Sequence, residues 1–419
     1  MVVLQVNKFF YEKGGTERYV FLLSEALEER GHRVAHFAMA HPANRPSPYA
    51  HHFVSRRKYD GAGLAESLRH AGAFIRSREA ARRIDALVAE ARPDVAHLHN
   101  IYHQLTPSIV VALKRRGIPV VMTLHDYKLV CPNYSLFAKG AFCYRCRGGA
   151  FFNAVRVRCS GNSRTRGALL ALEAYWQLWT RVYDAVDCFI APSQYLRDTI
   201  VAAGTDPGRV RHLPGFVDPP GAAGGEALSA GHERALASLP ERFVVYFGRL
   251  SAEKGLDTLL EAVARLPGVP LVVCGEGPEL PRLREVAGAR APGRVHFAGF
   301  AARPLLERVV ARAAASVIPT LSPENAPFSA LEAAVAGVPL VVSNMGGLPE
   351  IAELSGGSVV PVGNAEALAG AIAGLWNTPR DDNTARAGMQ RIRAHYDRET
   401  HMSRLESIYQ EAIAARSAV

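Results

Sequence analysis

Short apolar runs alternate with amphipathic segments along almost the whole chain. Runs such as 2–7, 119–124 and 338–343 are apolar with few interruptions, whereas the segment 15–30 repeats its apolar residues at helical spacing. Uninterrupted apolar runs of this length are typical of strands that are buried on both faces of a parallel sheet. The pattern therefore predicts an α/β fold in which helices connect parallel strands.

Twelve apolar runs are predicted to be strands, six in each half of the chain. They are 2–7, 33–39, 94–99, 119–124, 188–192, 210–214, 243–247, 270–274, 294–298, 315–319, 338–343 and 357–361. The helices predicted between them include 15–30, 64–91, 254–266, 304–314, 327–336 and 364–376. This arrangement predicts two Rossmann-like parallel-sheet domains that face each other across a cleft, with ligands beyond the carboxyl ends of the strands.

The domain boundaries follow from a break in this alternation. Residues 218–240 contain turn-forming residues and little that a core would bury, so the boundary is placed at their start. We expect a first domain over 1–217, with a cysteine-rich insertion near 131–159, and a second domain over 218–400. The remaining segment, 401–419, is predicted to be a helix that could return to the first domain.

Composition and charge narrow the class of protein. Of 419 residues, 48% are hydrophobic and 21% charged, as in globular proteins. The sequence contains no run of 18 apolar residues, and its N-terminal segment lacks the features of a secretory signal, so we expect a cytoplasmic protein. The net charge of +10 favours anionic partners such as nucleotides or lipid head groups. Nucleic acid is not expected, because no nucleic-acid-binding motif is present.

Two glutamates flank the start of one predicted helix. Glu324 precedes it, Pro327 suits its first position, and Glu332 lies inside it. The free N–H groups and the dipole between the two carboxylates favour an anion, which suits a nucleotide diphosphate sugar with hydroxyls on either side of its diphosphate. The alternative is a dipole partner and a solvated side chain. The small apolar residues after Glu332 favour the first interpretation, because they predict a helix packed on a sheet.

Other polar residues follow predicted strands. Arg249 and Lys254 come after strand 243–247, where two cations could neutralise a diphosphate, or could simply be solvated charges. Gly15 belongs to a glycine pair before the first helix, which could expose N–H groups to a ligand or form a plain tight turn. His125 ends strand 119–124 and could bond a sugar hydroxyl, although a histidine there is more often structural.

Four cysteines cluster in the insertion: Cys131, Cys143, Cys146 and Cys159. Cys143 and Cys146 have the spacing of a zinc knuckle, and the segment is too poor in hydrophobic residues to fold alone. A structural Zn²⁺ held by four thiolates is one interpretation. Reduced free thiols or a redox pair are the alternatives.

Taken together, these motifs resemble the retaining GT-B glycosyltransferases of glycosyltransferase family 4. The resemblance covers nearly the full length and is most specific from Glu324 to Glu350, where two glutamates eight positions apart precede Gly-Val-Pro and Gly-Gly-Leu-Pro-Glu. Gly-Arg-Leu-Ser-Ala-Glu-Lys-Gly, which contains Arg249 and Lys254, also matches. The Glu-Gly-Phe-Gly that commonly follows the first carboxylate is here Glu-Asn-Ala-Pro-Phe, so the sugar pocket could differ.

The resemblance implies a role for each matching position. Glu324 would contact the reacting side of the donor sugar, and His125 would hydrogen-bond the same sugar. Arg249 and Lys254 would bind the diphosphate. The backbone of Asn325, Ala326, Pro327 and Phe328 would bind it as well, through the N–H groups of the residues other than proline. Glu332 would hold the ribose, Gly15 would lie near phosphate and acceptor, and the backbone near Phe300 would touch the base.

The activity that the resemblance implies is transfer of a hexose from a nucleotide diphosphate sugar to a bacterial glycan or lipid-linked acceptor, without a cofactor in catalysis. A non-catalytic nucleotide-sugar-binding protein and a GT-B relative such as an epimerase are the alternatives. Excess positive charge, together with Trp176, Trp179, Arg156, Arg158, Arg164 and Arg166, could place the first domain on an anionic inner membrane surface. A packed helix with a solvated basic side is the simpler alternative for these residues.

Overall fold

The computed structural model describes residues 1–56, 72–217, 228–378 and 382–417. The chain forms two compact units. The first comprises Met1–Ser135, Tyr144–Leu213 and Glu399–Val419, and the second comprises Leu136–Cys143 and Pro214–Arg398. The first unit is therefore assembled from segments that lie far apart in the sequence.

A six-stranded parallel sheet forms the centre of the first unit. Its strands are β1 (Val2–Val6), β2 (Arg33–Phe37), β3 (Val95–Leu98), β4 (Val120–Thr123), β7 (Cys188–Ala191) and β8 (Val210–His212), in the order β2-β1-β3-β4-β7-β8. The short strands β5 (Phe137–Ala138) and β6 (Ala141–Phe142) form a separate antiparallel hairpin. The strands are buried almost throughout because helices cover them.

The helices of the first unit connect these strands. They are α1 (Gly15–Glu29), α2 (Arg78–Ala91), α3 (Ser108–Arg115), α4 (Asn153–Val157), α5 (Arg164–Thr180) and α6 (Gln194–Ala202). Serine side chains cap α2, α5 and α6, each accepting a bond from a backbone N–H of the first turn.

The second unit contains another six-stranded parallel sheet. Its strands are β9 (Val244–Phe247), β10 (Leu271–Cys274), β11 (Val295–Gly299), β12 (Ala315–Ile318), β13 (Leu340–Ser343) and β14 (Ser358–Val360). Their order, β11-β10-β9-β12-β13-β14, is that of a doubly wound sheet. Successive residues of β9 face opposite layers, since Val245 and Phe247 pack in one core cluster and Val244 and Tyr246 in the other.

The remaining helices begin with those between the strands of the second sheet. They are α7 (Ala230–Ala237), α8 (Leu256–Ala264), α9 (Leu280–Arg290), α10 (Arg303–Arg312), α11 (Phe328–Val335), α12 (Leu348–Ser355) and α13 (Ala365–Asn377). They are followed by α14 (Asp382–His395) and α15 (Arg398–Ser417). Tyr409 of α15 is fully buried and bonds His97 of β3, so this last helix completes the core of the first unit.

The secondary structure confirms all twelve predicted strands to within two residues at each end. The helix predicted over 64–91 is interrupted: residues 72–75 are helical, and after a break at residues 76–77 helix α2 begins at Arg78, where Ser77 caps it. Residues 57–71 lie outside the described part of the chain. The segment 218–240, which was predicted to break the alternation and to offer little to a core, contains α7, and no residue of this helix is buried. Residues 218–227 of that segment are also outside the described part.

Candidate active site

The predicted donor-site residues of the second unit follow β9 and β12, which are neighbours in the sheet. The strand order reverses between these two strands, because β10 and β11 lie on one side and β13 and β14 on the other. In open α/β sheets, a crevice forms beyond the carboxyl ends of the strands at this point of reversal, and ligands bind there. The topology therefore places the two predicted groups of side chains at one location.

The loop after β9 carries the two predicted cations. Arg249 is exposed, and its backbone carbonyl accepts a bond of 2.8 Å from the Tyr246 hydroxyl. Lys254 ends a short 3-10 turn, and Gly255 follows in the left-handed conformation with a φ of 72°. A Cβ at Gly255 would lie 1.9 Å from the Pro319 carbonyl oxygen, so only glycine lets this loop approach the end of β12 so closely.

Lys254 and Glu324 form an ion pair between the two loops. The Lys254 ammonium donates to Oε1 of Glu324, and the two side chains are 26% and 19% exposed. Both groups are thus accessible from one side while they neutralise each other. The structure brings a predicted phosphate-binding cation into direct contact with the predicted reacting-side carboxylate.

Glycines of a third loop fix the backbone of Glu324. Glu324 and Gly346 form an isolated parallel bridge, and the Gly347 N–H donates to the Glu324 carbonyl at 2.7 Å. Gly346 has a φ of 65°, and a Cβ there would lie 2.1 Å from the Glu324 oxygen. The Gly-Gly pair before α12 therefore holds Glu324 by a backbone contact that a larger residue would prevent.

Helix α11 begins one residue later than the sequence suggested. Pro327 was predicted at the first helical position, but with a φ of −68° and a ψ of 130° it is the extended residue before the helix. The fixed φ of proline suits both positions, so sequence alone does not separate them. Asn325, Ala326 and Phe328 are half-buried around this start, and Glu332 is half-buried one turn into the helix.

The remaining donor-site prediction of the second unit is an exposed aromatic residue. Phe300 follows β11, and 76% of the residue is exposed. Gly299 before it has a φ of 69°, which turns the chain at the carboxyl end of this strand. The backbone near Phe300 is thus accessible at the same edge of the sheet as Arg249 and Glu324.

In the first unit, Gly15 begins helix α1 after β1. Gly14 before it caps the helix in an extended conformation, without a side-chain bond to the first-turn N–H groups. Asn7, at the end of β1, donates to Glu17 of α1 at 3.2 Å and accepts from the Asn100 N–H at 3.1 Å. Burial raises the pKa of Glu17, although the bond from Asn7 opposes this. The glycine pair therefore begins a helix in a partly buried polar environment.

His125 belongs to a chain of hydrogen bonds across three strands. Its Nε2 lies 2.9 Å from Nδ1 of His99, and Nε2 of His99 lies 2.7 Å from Oε1 of Gln5. An amide oxygen only accepts, so His99 donates from Nε2; a neutral His99 then accepts at Nδ1 from Nε2 of His125. This direction leaves Nδ1 of His125 as the nitrogen that accepts.

Burial keeps these imidazoles neutral. It lowers the pKa of His125 to about 3 and that of His99 well below its ordinary value, where the neighbouring His97 and His125 contribute further. Asp126, next in the chain, has its pKa raised by burial, while bonds from the Tyr102 hydroxyl and the Lys128 N–H oppose the rise. At neutral pH His125 therefore acts as a neutral hydrogen-bonding group and not as a cation.

Sequence reasoning missed His99 as the partner of His125 and Gln5 as the partner of His99. Histidines 97 and 99 are two positions apart, a spacing that places both on one face of a strand and by itself indicates only packing or a polar network. The network exists: His97 bonds Tyr409 and Thr123, and His99 bonds Gln5 and His125. A polar residue inside an otherwise apolar first strand was the available signal, since such a residue needs a partner.

The cysteine-rich segment divides between the two units. Cys143 falls in the second unit and the other three cysteines in the first. Cys146 and Cys159 pack against one small core cluster, and the Asn133 side chain donates to the Cys159 carbonyl at 3.0 Å. All four cysteines are present as thiols. Binding of zinc by these residues stays a prediction.

Sequence comparison assigns the chain to a known family. The sequence model "Glycosyl transferases group 1" matches residues 232–391, and "Glycosyltransferase Family 4" matches residues 13–219. A GDP-mannose-dependent alpha-(1-6)-phosphatidylinositol monomannoside mannosyltransferase of Mycobacterium tuberculosis is 30% identical over 290 residues, which are 63% of this chain and 74% of the relative. A glycogen synthase of the same species is 35% identical over 176 residues, so the match covers only 40% of this chain and 42% of that protein.

Solved structures share the fold over nearly the whole chain. A sucrose-phosphate synthase from Thermosynechococcus elongatus superposes with a TM-score of 0.71 at 20% identity, covering 99% of both chains. HepE of Anabaena, in complex with UDP and glucose, superposes with a TM-score of 0.66 at 20% identity, covering 98% of this chain and 100% of that one. With two parallel-sheet Rossmann-like domains and these sequence matches, the chain belongs to glycosyltransferase family 4, whose members are transferases of the GT-B fold.

Proposed function

We propose that this glycosyltransferase moves a hexose from a nucleotide diphosphate sugar to a glycan or lipid-linked acceptor, with retention of the anomeric configuration. The observation that carries the proposal is the Lys254–Glu324 ion pair beside the start of α11, at the point of strand reversal. This point brings together a cation, a carboxylate and the N–H groups at the start of a helix, which suit a sugar joined to a diphosphate. The relatives named above, one of them GDP-mannose-dependent, support a donor of this class.

The donor contacts follow from the positions of the side chains. Lys254 and Arg249 bind the diphosphate, together with the N–H groups of Asn325, Ala326 and Phe328, while Pro327 has no N–H to offer. In the free protein, Glu324 keeps the Lys254 ammonium in place. When the donor binds, the ammonium turns to the phosphate and the Glu324 carboxylate becomes available to the sugar.

Three further residues are assigned by the family resemblance. Glu332, half-buried in α11, accepts from the ribose hydroxyls, and the accessible backbone near Phe300 contacts the base. His125 bonds a hydroxyl of the donor sugar, accepting at Nδ1 as its bond to His99 requires. Gly15 leaves the start of α1 open to phosphate and acceptor.

The transfer uses no cofactor in this proposal. The acceptor hydroxyl attacks the anomeric carbon on the face from which the diphosphate leaves, and the carbon–oxygen bond to the phosphate breaks. The hydroxyl proton passes to the departing phosphate oxygen, so the leaving group itself acts as the base. Lys254 and Arg249 stabilise the charge that develops on the diphosphate.

The decisive experiment compares donors and variants. Thermal-shift screening against UDP-, GDP-, ADP- and dTDP-sugars identifies the donor, because a ligand that binds only the folded state raises the midpoint. With that donor, Glu324→Gln should abolish transfer while leaving the unfolding midpoint near that of Glu366→Gln, an exposed control on α13. Full transfer activity in Glu324→Gln would refute the role proposed for the pair.

The product distinguishes the alternatives. Proton NMR of the glycoside reports whether the anomeric configuration of the donor is kept. A non-catalytic nucleotide-sugar-binding protein would bind the donor without releasing nucleoside diphosphate. An epimerase would return a stereoisomer of the sugar instead of a glycoside.

An exposed face of α5 supports the proposal that the first unit binds an anionic membrane surface. Leu172, Leu178 and Trp179 are 51%, 52% and 73% exposed, and Trp179 stacks on Tyr175 with ring centroids 5.4 Å apart. The Tyr175 hydroxyl accepts from the N–H of Phe152, which is itself 53% exposed. The apolar side chains therefore form one patch, which extends along the helix.

Basic residues stand at both ends of this helix, although Arg181 forms an ion pair with Asp184. Arg164 and Arg166 begin α5 and Arg181 follows it, and the chain as a whole carries a net charge of +10. Apolar aromatic residues beside arginines are suited to the interface of an anionic bilayer. No helix within the described parts of the chain is long and apolar enough to span a membrane.

Vesicle flotation tests this surface. The wild type should float with vesicles that contain phosphatidylglycerol and not with purely zwitterionic ones, and Trp179→Ser should weaken the binding. Trp376→Ser is the control, because Trp376 belongs to the second unit, where the Arg242 guanidinium lies over its ring. Equal flotation of the two variants would refute the assignment of the patch.

A further inference from the structure

We propose that His51, His52 and Glu90 form a binding site for a divalent transition metal, with Zn²⁺ as the best-suited ion. The three side chains belong to the first unit and lie outside the residues assigned to the donor. Their ligand atoms all lie within 4.8 Å of one another. Among the described residues, these are the three metal-ligating side chains that lie close enough together to share one ion. Two imidazoles and one carboxylate are a usual ligand set for zinc with an open fourth position.

The distances between the ligand atoms are close to those of a tetrahedral site. Nε2 of His51 and Nε2 of His52 lie 3.1 Å and 2.8 Å from the same Glu90 oxygen, Oε2. Zinc–ligand bonds of about 2.0–2.1 Å in tetrahedral geometry separate neighbouring ligand atoms by about 3.3 Å. The distances from the two Nε2 atoms to Oε2 of Glu90 therefore need to lengthen by at most about half an ångström to admit the ion. The side chains of His51 and Glu90 are exposed, which leaves room for that movement.

The backbone that carries the two histidines is fixed without Glu90. The Arg83 guanidinium of α2 donates to the His51 carbonyl at 3.0 Å. Beyond the turn, the N–H and hydroxyl of Ser55 both donate to Glu79 of the same helix, at 2.9 Å and 2.8 Å. The turn thus stays against α2 even when the Glu90 carboxylate moves, so little ordering of the chain opposes binding.

Binding of the metal shifts each imidazole to its other neutral tautomer and releases no proton. In the metal-free protein each imidazole donates its Nε2 proton to Glu90. In the occupied site each neutral imidazole presents the Nε2 lone pair and carries its proton on Nδ1 instead. A water molecule completes the coordination, and the exposure of His51 gives the ion access from solvent.

Calorimetric titration of the EDTA-treated full-length protein with Zn²⁺ tests the site. His52→Gln should lower the affinity at this site at least tenfold, because it removes the best-buried ligand, whereas His395→Gln, an exposed histidine of α14, should not change it. Zinc should also raise the unfolding midpoint of the wild type more than that of His52→Gln. Zinc held by cysteine thiolates would bind equally to both variants, so equal titrations, or no binding to the wild type, would overturn the proposal.

Discussion

Substitution of Gly346 by alanine should displace Glu324 and thereby reduce activity far more than stability. Gly346 has a φ of 65°, and the added Cβ would lie 2.1 Å from the Glu324 carbonyl oxygen and 2.6 Å from its nitrogen. A carbon atom lies against a carbonyl oxygen at no less than about 3.3 Å, so the two loops must separate by about 1.2 Å. The displaced backbone is that of the residue proposed to face the donor sugar.

The expected magnitudes follow from this displacement. An error of about 1 Å in a reacting geometry lowers the rate about 10²-fold, which corresponds to about 2.7 kcal/mol of transition-state stabilisation. The left-handed conformation costs an alanine about 1–2 kcal/mol of folding free energy. Gly293→Ala is the matched control, because its φ is 72° and no atom lies within 4 Å of the added Cβ.

The assay measures two quantities for both variants. Steady-state transfer with the donor found by thermal shift gives kcat/KM, and urea unfolding followed by circular dichroism gives the free energy of unfolding. Both variants should lose stability through backbone strain, and Gly346→Ala should lose more because its two loops must also separate. Only Gly346→Ala should lose transfer activity. The same kcat/KM in the two variants would refute the claim that the glycine contact positions Glu324.

Three further changes test other parts of the chain. The bond from Arg30 lowers the pKa of Glu406 to about 2, below the ~4.3 of an unfolded chain, so the pair stabilises the fold above that pH and the effect fades towards pH 2. Urea unfolding should thus show a penalty for Glu406→Gln that shrinks on acidification. Lys128→Met should cost about 3–5 kcal/mol in the same measurement, because Glu173, with no exposed side-chain area, loses the cation that offsets the burial of its carboxylate. Metal analysis should find one zinc ion fewer per chain in Cys146→Ser than in the wild type; equal zinc contents would refute the thiolate site.

The strands were predictable because their physics is local. A strand buried on both faces needs an almost continuous apolar run, and all twelve runs became strands. The positions of Arg249, Lys254 and Glu324 in the fold could be predicted for a related reason. The loops that follow buried parallel strands lie at the edge of the sheet where ligands bind. Sequence spacing was thus enough to place these side chains at one edge of the sheet, and their roles in donor binding stay predictions.

Contacts between distant segments were not predictable in this way. The bond between His99 and Gln5 depends on the pairing of β1 with β3, and the Gly346 contact depends on the proximity of two loops. Neither pairing has a signal within a short window of sequence. Pro327 shows the same limit on a smaller scale, because its fixed φ suits both the residue before a helix and the first residue within it.

The return of α15 to the first unit has a consequence for synthesis on the ribosome. Tyr409 of this helix bonds His97, and His401 bonds Tyr19. Nearly two hundred residues must therefore be translated after Leu213 before the segment that completes this core is made. At about 5–20 residues per second, that delay is roughly ten to forty seconds. During this interval the nascent N-terminal segment exposes apolar surface that α15 later covers, which makes it a natural client for chaperones.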